Sequence, residues 1–511
     1  MSQTVIDIAN ESQPVAGVVS ANTFARWLDR ILIGCLFALA FCAPHSIAAT
    51  QAAWALGLLV WAVRFAVRPR PILQRTPVDY ALLGFFILTF ISALLSYNPE
   101  ISIGKLRAAS LFTIVYLVAE NVGTRRMVRL LALTLIASCM INVVYTLGGR
   151  AIGRGVMIEE LAADSPLRVA GVREGDTVLK AGGEAISNLR ELQEQLMADG
   201  SSGVPVRLRV YRLEFFHEFD LPRHQMMSET SQLGVVRWSR GRDQRAAGFY
   251  GHYTTYAEVL QLIGSLALGL FVARRRKLTW PGVLLAVAAA GIAAALLLTV
   301  TRASWLSFLL SSGMIVLVGT ASRKAALVVA LAAVLLIPAG LYVLQQKRQV
   351  GFFDRRDNSI TWRETVYREG FELLIANPRH LLVGVGMDSL KRRWREWGMF
   401  DEGRLPVGHL HSTPLQIAFE RGVPALLMWL ALLFLYARML WRLLARKTSA
   451  LDWTERGIAL GALGGAVGFF TSGLVHYNLG DSEVAMVFYL IMGLALALER
   501  FARTVPRTEI T

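Results

Sequence analysis

The dominant pattern along the chain is a series of long apolar stretches separated by short polar connections. A helix that crosses the hydrocarbon core of a membrane needs about 20 mostly apolar residues. The stretch at 101–119 fits this requirement least well, because Lys105 and Arg107 stand near its start. The pattern predicts an all-α polytopic membrane protein of about twelve transmembrane helices, at residues 27–43, 47–67, 78–96, 101–119, 128–148, 251–273, 281–299, 303–320, 325–344, 412–441, 457–475 and 484–499.

The composition supports a membrane protein. Apolar residues make up 54% of the chain and charged residues 18%, whereas soluble domains contain about 45–50% and about 25% of these classes. The 3 cysteines all fall inside predicted spans, which excludes a disulfide scaffold in the connections. The net charge of +16 could indicate a nucleic-acid partner. Whether it does depends on where the basic residues lie along the chain.

The basic residues concentrate in alternate connections between the spans. If the N-terminus is cytoplasmic, the inside connections carry groups such as Arg68, Arg70 and Arg75. The short outside turns at 44–46, 97–100 and 476–483 contain no lysine or arginine. By the positive-inside rule, both termini are then cytoplasmic and the long connections 149–250 and 345–411 lie outside. The basic excess is therefore a topology signal, and we expect no nucleic-acid partner.

The first long connection contains a small α+β module. Its sequence predicts a helix at 189–197 and a hairpin of strands at 206–211 and 214–221. The Asp-Ser-Pro string at 164–166, the stretch 170–176 and the Gly-Gly-Glu-Ala-Ile string at 182–186 resemble, in order and spacing, a PDZ domain of the bacterial envelope type. The segment between residues 150 and 250 carries no net charge.

The PDZ resemblance implies a peptide site. PDZ domains bind a peptide C-terminus as an added strand, and the resemblance places the terminal carboxylate on the loop that contains Gly153 and Gly155. The strand expected before this loop is missing or absorbed into the fifth span. A peptide-binding module and a structural insertion that packs on the membrane domain therefore remain alternatives.

Polar chemistry gathers at the outer ends of the spans. The span centres contain almost no ionisable residue, and Glu258 lies near the outer end of its span, which argues against a proton-coupled transporter with midplane carboxylates. This distribution favours an enzyme that acts at the outer surface on a lipid-linked substrate. The polar clusters occupy residues 245–256, 301–305, 361–363 with 384–387, and 409–424.

His409 and His411 are the candidate metal ligands, but an i, i+2 pair does not share a helical face and no cysteine or acidic cluster completes a site. We expect no metal and no other cofactor.

A second resemblance is carried by His411-Ser412, which is followed after nine residues by Gly422-Val423. This string resembles the signature of the O-antigen ligase and polymerase superfamily of membrane glycosyltransferases. Arg245-Ala-Ala-Gly-Phe and Thr301-Arg302-Ala-Ser-Trp resemble the outer arginine motifs of that family. The chain is most like an O-antigen ligase with a PDZ-like periplasmic insert.

The resemblance implies an enzyme of the bacterial inner membrane with a periplasmic active site. Family members transfer a glycan from undecaprenyl pyrophosphate to an acceptor hydroxyl, without a metal and with inversion at the anomeric carbon. We expect His411 to be the catalytic base and His409 an orienting neighbour. Arg245 and Arg302 are expected to bind the pyrophosphate, with Arg363 as a weaker third contact.

The expected domains are transmembrane helices 1–5 at 1–150, the PDZ-like domain at 151–225 and a linker with helices 6–9 at 226–344. A large periplasmic catalytic loop at 345–411 and helices 10–12 with a cytoplasmic tail at 412–511 complete the chain.

The expected function is ligation of O-antigen to lipid A-core in lipopolysaccharide biosynthesis. A polysaccharide polymerase and a protein O-oligosaccharyltransferase are the alternatives with the same donor, and a non-enzymatic PDZ-bearing scaffold or channel is the alternative of a different class. The expected partners are the lipid-linked glycan, its acceptor, membrane lipids and a peptide or protein partner of the insert.

Overall fold

The computed structural model describes residues 23–197, 205–212, 215–221, 233–242, 244–320, 358–445 and 451–503. The ninth predicted span, at 325–344, lies outside this part of the chain. In the described N-terminal part the helices are α1 Thr23–Cys42, α2 Ile47–Ala66, α3 Asp79–Leu94, α4 Pro99–Gly104, α5 Leu106–Ala109, α6 Thr113–Asn121 and α7 Arg125–Ile152.

The insert is a separate sheet domain with its own hydrophobic core. Its strands pair antiparallel in the order β5-β4-β2-β1-β6, and β3 pairs with β2. The predicted helix and hairpin of this domain are present. The elements are β1 Val156–Leu161, α8 Pro166–Val169, β2 Thr177–Ala181, β3 Glu184–Ala185, α9 Leu189–Met197, β4 Val206–Arg212, β5 Phe215–Leu221 and β6 Val235–Arg240.

The C-terminal half returns to helices. A left-handed turn, Met399–Gly403, interrupts the connection before the last four of them. The described helices are α10 Tyr253–Ala273, α11 Trp280–Leu298, α12 Arg302–Gly319, α13 Asn358–Ile375, α14 Pro378–Val383, α15 Ser389–Arg393, α16 Thr413–Arg421, α17 Val423–Ala445, α18 Trp453–Gly473 and α19 Ser482–Arg503.

The helical membrane architecture with an inserted sheet domain is confirmed. Within the described residues, 8 helices are long and apolar enough to cross a membrane, so the count of twelve spans stays a prediction. Two predicted spans contain a break. The fourth, which is counted among the 8 helices as Pro99–Asn121, has a turn at Lys105, and Lys105 forms an ion pair of 2.6 Å with Asp388. The tenth is divided at Gly422, whose φ of +82° ends α16 before α17 begins.

The centre of the bundle is a close contact between α10 and α18. A Cβ on Gly461 would lie 2.5 Å from Cα of Leu266, and a Cβ on Gly269 would lie 2.4 Å from the carbonyl oxygen of Gly457. Small residues at this spacing let two helix backbones approach and pack without side chains between them. The contact fixes α10 against α18, and the turns at one end of these helices contribute to the candidate site.

The two ends of the bundle differ in their polar contacts. At one end Arg125 of α7 pairs with Glu455 of α18 at 2.6 Å and donates to the carbonyl oxygen of Phe501 in α19 at 3.2 Å. At the opposite end Tyr250 donates to the carbonyl oxygen of Ala43 at 2.6 Å. The described parts of both long connections meet the bundle at this second end, where the candidate site lies.

Candidate active site

His409 and His411 lie in the loop that leads into α16. The φ of His411 is +46°, a left-handed conformation that is uncommon for a residue with a side chain. Two contacts hold this backbone: the N–H of Leu410 donates to Oε1 of Gln416 at 2.7 Å, and the Tyr367 hydroxyl donates to the carbonyl oxygen of His411 at 2.8 Å. The signature histidine is therefore presented by a fixed turn.

The two imidazole rings are neighbours, with centroids 4.0 Å apart. The backbone N–H of His411 donates to Nδ1 of His409 at 3.1 Å. Since Nδ1 accepts this bond, a neutral His409 carries its proton on Nε2. Trp362 meets the His411 ring edge to face at 4.7 Å. The structure thus brings the predicted histidine pair together, beside the helix that carries Arg363.

Both histidines are held in the neutral form. Burial lowers the pKa of His411 to about 2, with the charges of His409 and Arg363 acting in the same direction. Burial also lowers the pKa of His409 to about 4, and Lys391 adds to the effect. A neutral imidazole can accept a proton, which is the state that a general base requires before reaction.

A third histidine of the site, His476, was not predicted from the sequence. It lies in the turn between α18 and α19, and its Nδ1 is 2.9 Å from Oε1 of Glu258 in α10. Its carbonyl oxygen accepts from the N–H of Thr413 at 3.0 Å and from the hydroxyl of Thr413 at 2.9 Å. Burial, together with the smaller effect of the charge of Arg363, lowers the pKa of His476 to about 3. His476 therefore links α16, the helix that directly follows His411, with α10.

The neighbouring turn adds a carboxylate. The Thr255 hydroxyl donates to Oδ2 of Asp481 at 2.9 Å and lies 3.1 Å from Nδ1 of His252. Burial raises the pKa of Asp481, and the hydrogen bond from Thr255 opposes that shift. The only sequence signal for this group is the presence of His476 and Asp481 in one short turn.

Arg245 and Arg302 meet at the α11–α12 turn. Arg245 donates through Nε to the carbonyl oxygen of Thr299 at 3.0 Å and through Nη2 to that of Val300. Its guanidinium lies 3.7 Å from the ring centroid of Tyr253. Val300 has a φ of +52°, so Arg245 stabilises a strained turn that immediately precedes Arg302. Burial lowers the pKa of Arg245, and the charge of Arg302 contributes in the same direction.

Arg363 is half-buried on α13, and its charge acts on both His411 and His476. Arg245 acts on His476 and on His252, whose pKa is lowered chiefly by burial. The predicted arginines and histidines therefore share one electrostatic neighbourhood. Gly153 and Gly155 belong instead to the sheet domain, where both adopt positive φ. No group of three metal-binding side chains occurs among the described residues.

Comparison with known proteins matches two parts of the chain. Residues 288–430 match the family model described as O-antigen ligase. The chain is similar to the O-antigen ligases. Residues 135–221 match the PDZ domain model, which confirms the PDZ-like insert. No curated protein matches the chain. The ligase match contains Arg302, Arg363 and both signature histidines, whereas Arg245 and the Glu258–His476 pair lie outside it. The similarity supports a membrane enzyme that transfers glycans.

Proposed function

We propose that the protein is an O-antigen ligase that transfers a glycan from undecaprenyl pyrophosphate to a hydroxyl of lipid A-core. The observation that carries this proposal is the meeting of two neutral histidines with the arginines of three separate segments at one end of the bundle. Neutral bases beside fixed cations suit a reaction in which a hydroxyl loses a proton while an anionic leaving group departs.

The arginines provide the binding contacts for the pyrophosphate. Guanidinium groups make paired hydrogen bonds to phosphate oxygens and remain charged at neutral pH. Arg302 presents its guanidinium from the α11–α12 turn, and Arg363 approaches from α13 beside His411. Arg245 braces the backbone before Arg302 in addition to adding charge. The leaving pyrophosphate is stabilised by these charges as its bond to the sugar breaks.

His411 takes the proton. The acceptor hydroxyl transfers its proton to the neutral imidazole, its oxygen forms a bond to the anomeric carbon, and the bond from that carbon to the pyrophosphate oxygen breaks. Attack opposite the leaving group inverts the anomeric configuration. Binding of the anionic donor offsets the charge of Arg363, which raises the pKa of His411 in the complex. His409 fixes the backbone of His411 through Nδ1.

The reaction is placed at the periplasmic face of the bacterial inner membrane, with both termini cytoplasmic. The basic network around Arg125 supports this orientation, because it lies at the bundle end opposite the histidines. The site then opens where a lipid-linked glycan presents its headgroup.

An acceptor assay tests the proposal. Purified protein in liposomes receives labelled undecaprenyl-pyrophosphate glycan together with lipid A-core, a second lipid-linked glycan, or a serine-containing peptide. Transfer to lipid A-core is expected. Transfer only to the second glycan would replace the ligase assignment with a polymerase, and transfer only to the peptide would replace it with a protein glycosyltransferase. Absence of transfer to all three acceptors would contradict the proposal that the protein is a glycan-transferring enzyme.

A further inference from the structure

A second basic surface lies at the histidine end of the bundle. Its sequence signal is a run of four cations within residues 391–395, in an outer connection whose basic residues the positive-inside rule does not explain. This run stands beside the turn from α3 to α4. The surface, named here the basic face, consists of Lys105, Arg379, Lys391, Arg392, Arg393 and Arg395.

Hydrogen bonds fix this segment on the α3–α4 turn. The Ser102 hydroxyl donates to the carbonyl oxygen of Met387 at 2.9 Å, and Nε of Arg393 donates to Oδ1 of Asn98 at 3.1 Å. Nη2 of Arg393 donates to the carbonyl oxygen of Tyr97 at 3.3 Å. The cations therefore stand on a backbone that is held before a ligand arrives, which lowers the entropy cost of binding.

Carboxylates pair with only part of the basic face. Asp388 pairs with Lys105 at 2.6 Å and with Lys391 at 3.2 Å. Glu396 pairs with Arg393 at 2.7 Å. In the described parts of the chain, the cations of this face that form no ion pair are Arg379, Arg392 and Arg395. The surface therefore keeps an excess of positive charge, which attracts an anion.

The exposed side of α3 leads up to the basic face. The apolar residues on this side follow one another at intervals of three and four positions and are Leu83, Ile87, Phe90 and Leu94. The guanidinium of Arg379 donates to the carbonyl oxygen of Leu95, directly after the helix. A lipid whose acyl chains lie along α3 therefore places its headgroup at the basic face.

The basic face reaches the histidine pair through one carboxylate. The backbone N–H of Asp388 donates to Oε1 of Glu420 at 3.0 Å, and the Tyr477 hydroxyl donates to Oε2 of the same side chain at 3.2 Å. The Tyr477 ring centroid is 5.6 Å from that of His409. After burial, the charge of Lys391 is the largest effect on the pKa of His409. A ligand on this face therefore lies beside the histidines.

The basic face is separate from the arginines assigned to the pyrophosphate. Arg245 and Arg302 meet at the α11–α12 turn, whereas the basic face is built on the α3–α4 turn, α14 and α15. A donor held by those arginines leaves this face open for a second anionic ligand.

We propose that the basic face binds the phosphate groups of the lipid acceptor, with the acyl chains of that lipid along α3. The binding of a phosphorylated lipid stands on the charges and on the exposed side of the helix. Its identification as the acceptor lipid A-core rests on the proposed function.

Removal of two exposed cations tests the proposal in the full-length protein in neutral detergent. The probes are lipid A-core with its phosphates and the same lipid after enzymatic dephosphorylation. Arg392→Gln/Arg395→Gln should raise the Kd of the phosphorylated lipid at least about tenfold and leave that of the dephosphorylated lipid unchanged. Arg392→Lys/Arg395→Lys keeps both charges and should retain most of the affinity. The matched control Arg275→Gln/Arg276→Gln removes the same charge from exposed positions of a predicted cytoplasmic connection and should bind like the parent.

Equal affinity of the parent and the Gln double variant for the phosphorylated lipid would overturn the proposal. An equal loss in the matched control, or an equal loss for the dephosphorylated lipid, would also overturn it. Equimolar phosphatidylglycerol should leave most of the lipid A-core bound, because its phosphodiester carries one negative charge and a phosphate monoester carries nearly two. Full displacement would assign the face to bulk phospholipid and contradict the acceptor.

Steady-state transfer separates this proposal from the proposed function. The Gln double variant should raise KM for lipid A-core, while kcat and KM for the donor stay unchanged, because the lost contact binds the ground state and the transition state alike. Normal KM for lipid A-core in an active variant would overturn the basic face and leave the ligase proposal standing. Phosphate-dependent binding by a protein that transfers no glycan would support the face and contradict the ligase.

Discussion

The pH dependence of transfer provides a direct test of the histidine electrostatics. Burial, His409 and Arg363 hold the pKa of His411 at about 2 in the donor-free protein. Because a lowered histidine pKa favours the neutral form, the base remains available as the pH falls. We therefore predict that kcat/KM, which reports the free enzyme, stays nearly constant from pH 7.5 to pH 5.

The geometry explains the contribution of His409, which comes second to that of burial. Two positive charges 4.0 Å apart, the separation of the His409 and His411 rings, repel by about 4 kcal/mol at an effective dielectric constant of about 20. That corresponds to about 3 pKa units, so the two rings are not protonated together at neutral pH. An ordinary histidine with a pKa near 6.5 would be about 3% neutral at pH 5, and kcat/KM would fall about 30-fold.

The assay measures initial rates with labelled donor in liposomes across this pH range. A fall of kcat/KM centred near pH 6.5 would refute the reasoning. Acid unfolding requires a separate control, because the unfolded chain binds protons with an ordinary histidine pKa near 6.5. Stability therefore decreases as the pH falls below about 6.5. Brief exposure to pH 5 followed by assay at pH 7.5 distinguishes irreversible loss from titration.

Three further predictions concern the arginine contact, the helix contact and the metal. Arg302→Lys should lower kcat/KM about 10- to 100-fold, since an ammonium makes no paired contact to phosphate, whereas Arg275→Lys in a predicted cytoplasmic connection should leave it unchanged. Gly461→Ala should destabilise the folded protein by about 1–3 kcal/mol, because its Cβ overpacks against Leu266, and the thermal midpoint in detergent should fall. Gly313→Ala has open space at its Cβ and should not lower the midpoint. EDTA should leave transfer unchanged, and loss of transfer that Zn²⁺ restores would assign a metal to the histidines.

The sequence predicts the parts of this molecule whose signals are local. Apolar length identifies the long helices, and alternation with turn residues identifies the hairpin of the insert. The signature spacing after His411 identifies the histidine loop, since the nine intervening residues form one short helix that ends at Gly422. These features depend on residues close together in the chain.

The parts that sequence reasoning missed depend on distant contacts. Glu258 and His476 are 218 positions apart, and neither lies in a string that identifies the other. Strand β6 has no regular alternation of exposed and buried positions. It lies at the edge of the sheet, where its residues are only partly covered. The positive φ of Val300 is set by the turn that Arg245 binds. Pairing across the fold decides each of these features.

The most direct test of the central claim is single-turnover glycan transfer by His411→Ala beside His217→Ala. His217 is an exposed histidine of the sheet domain and serves as the matched control. With donor and lipid A-core saturating, we predict that His411→Ala loses transfer by at least about 100-fold, within the range of general-base contributions, while it retains donor binding. His217→Ala should match the parent. Normal transfer by His411→Ala would contradict the account.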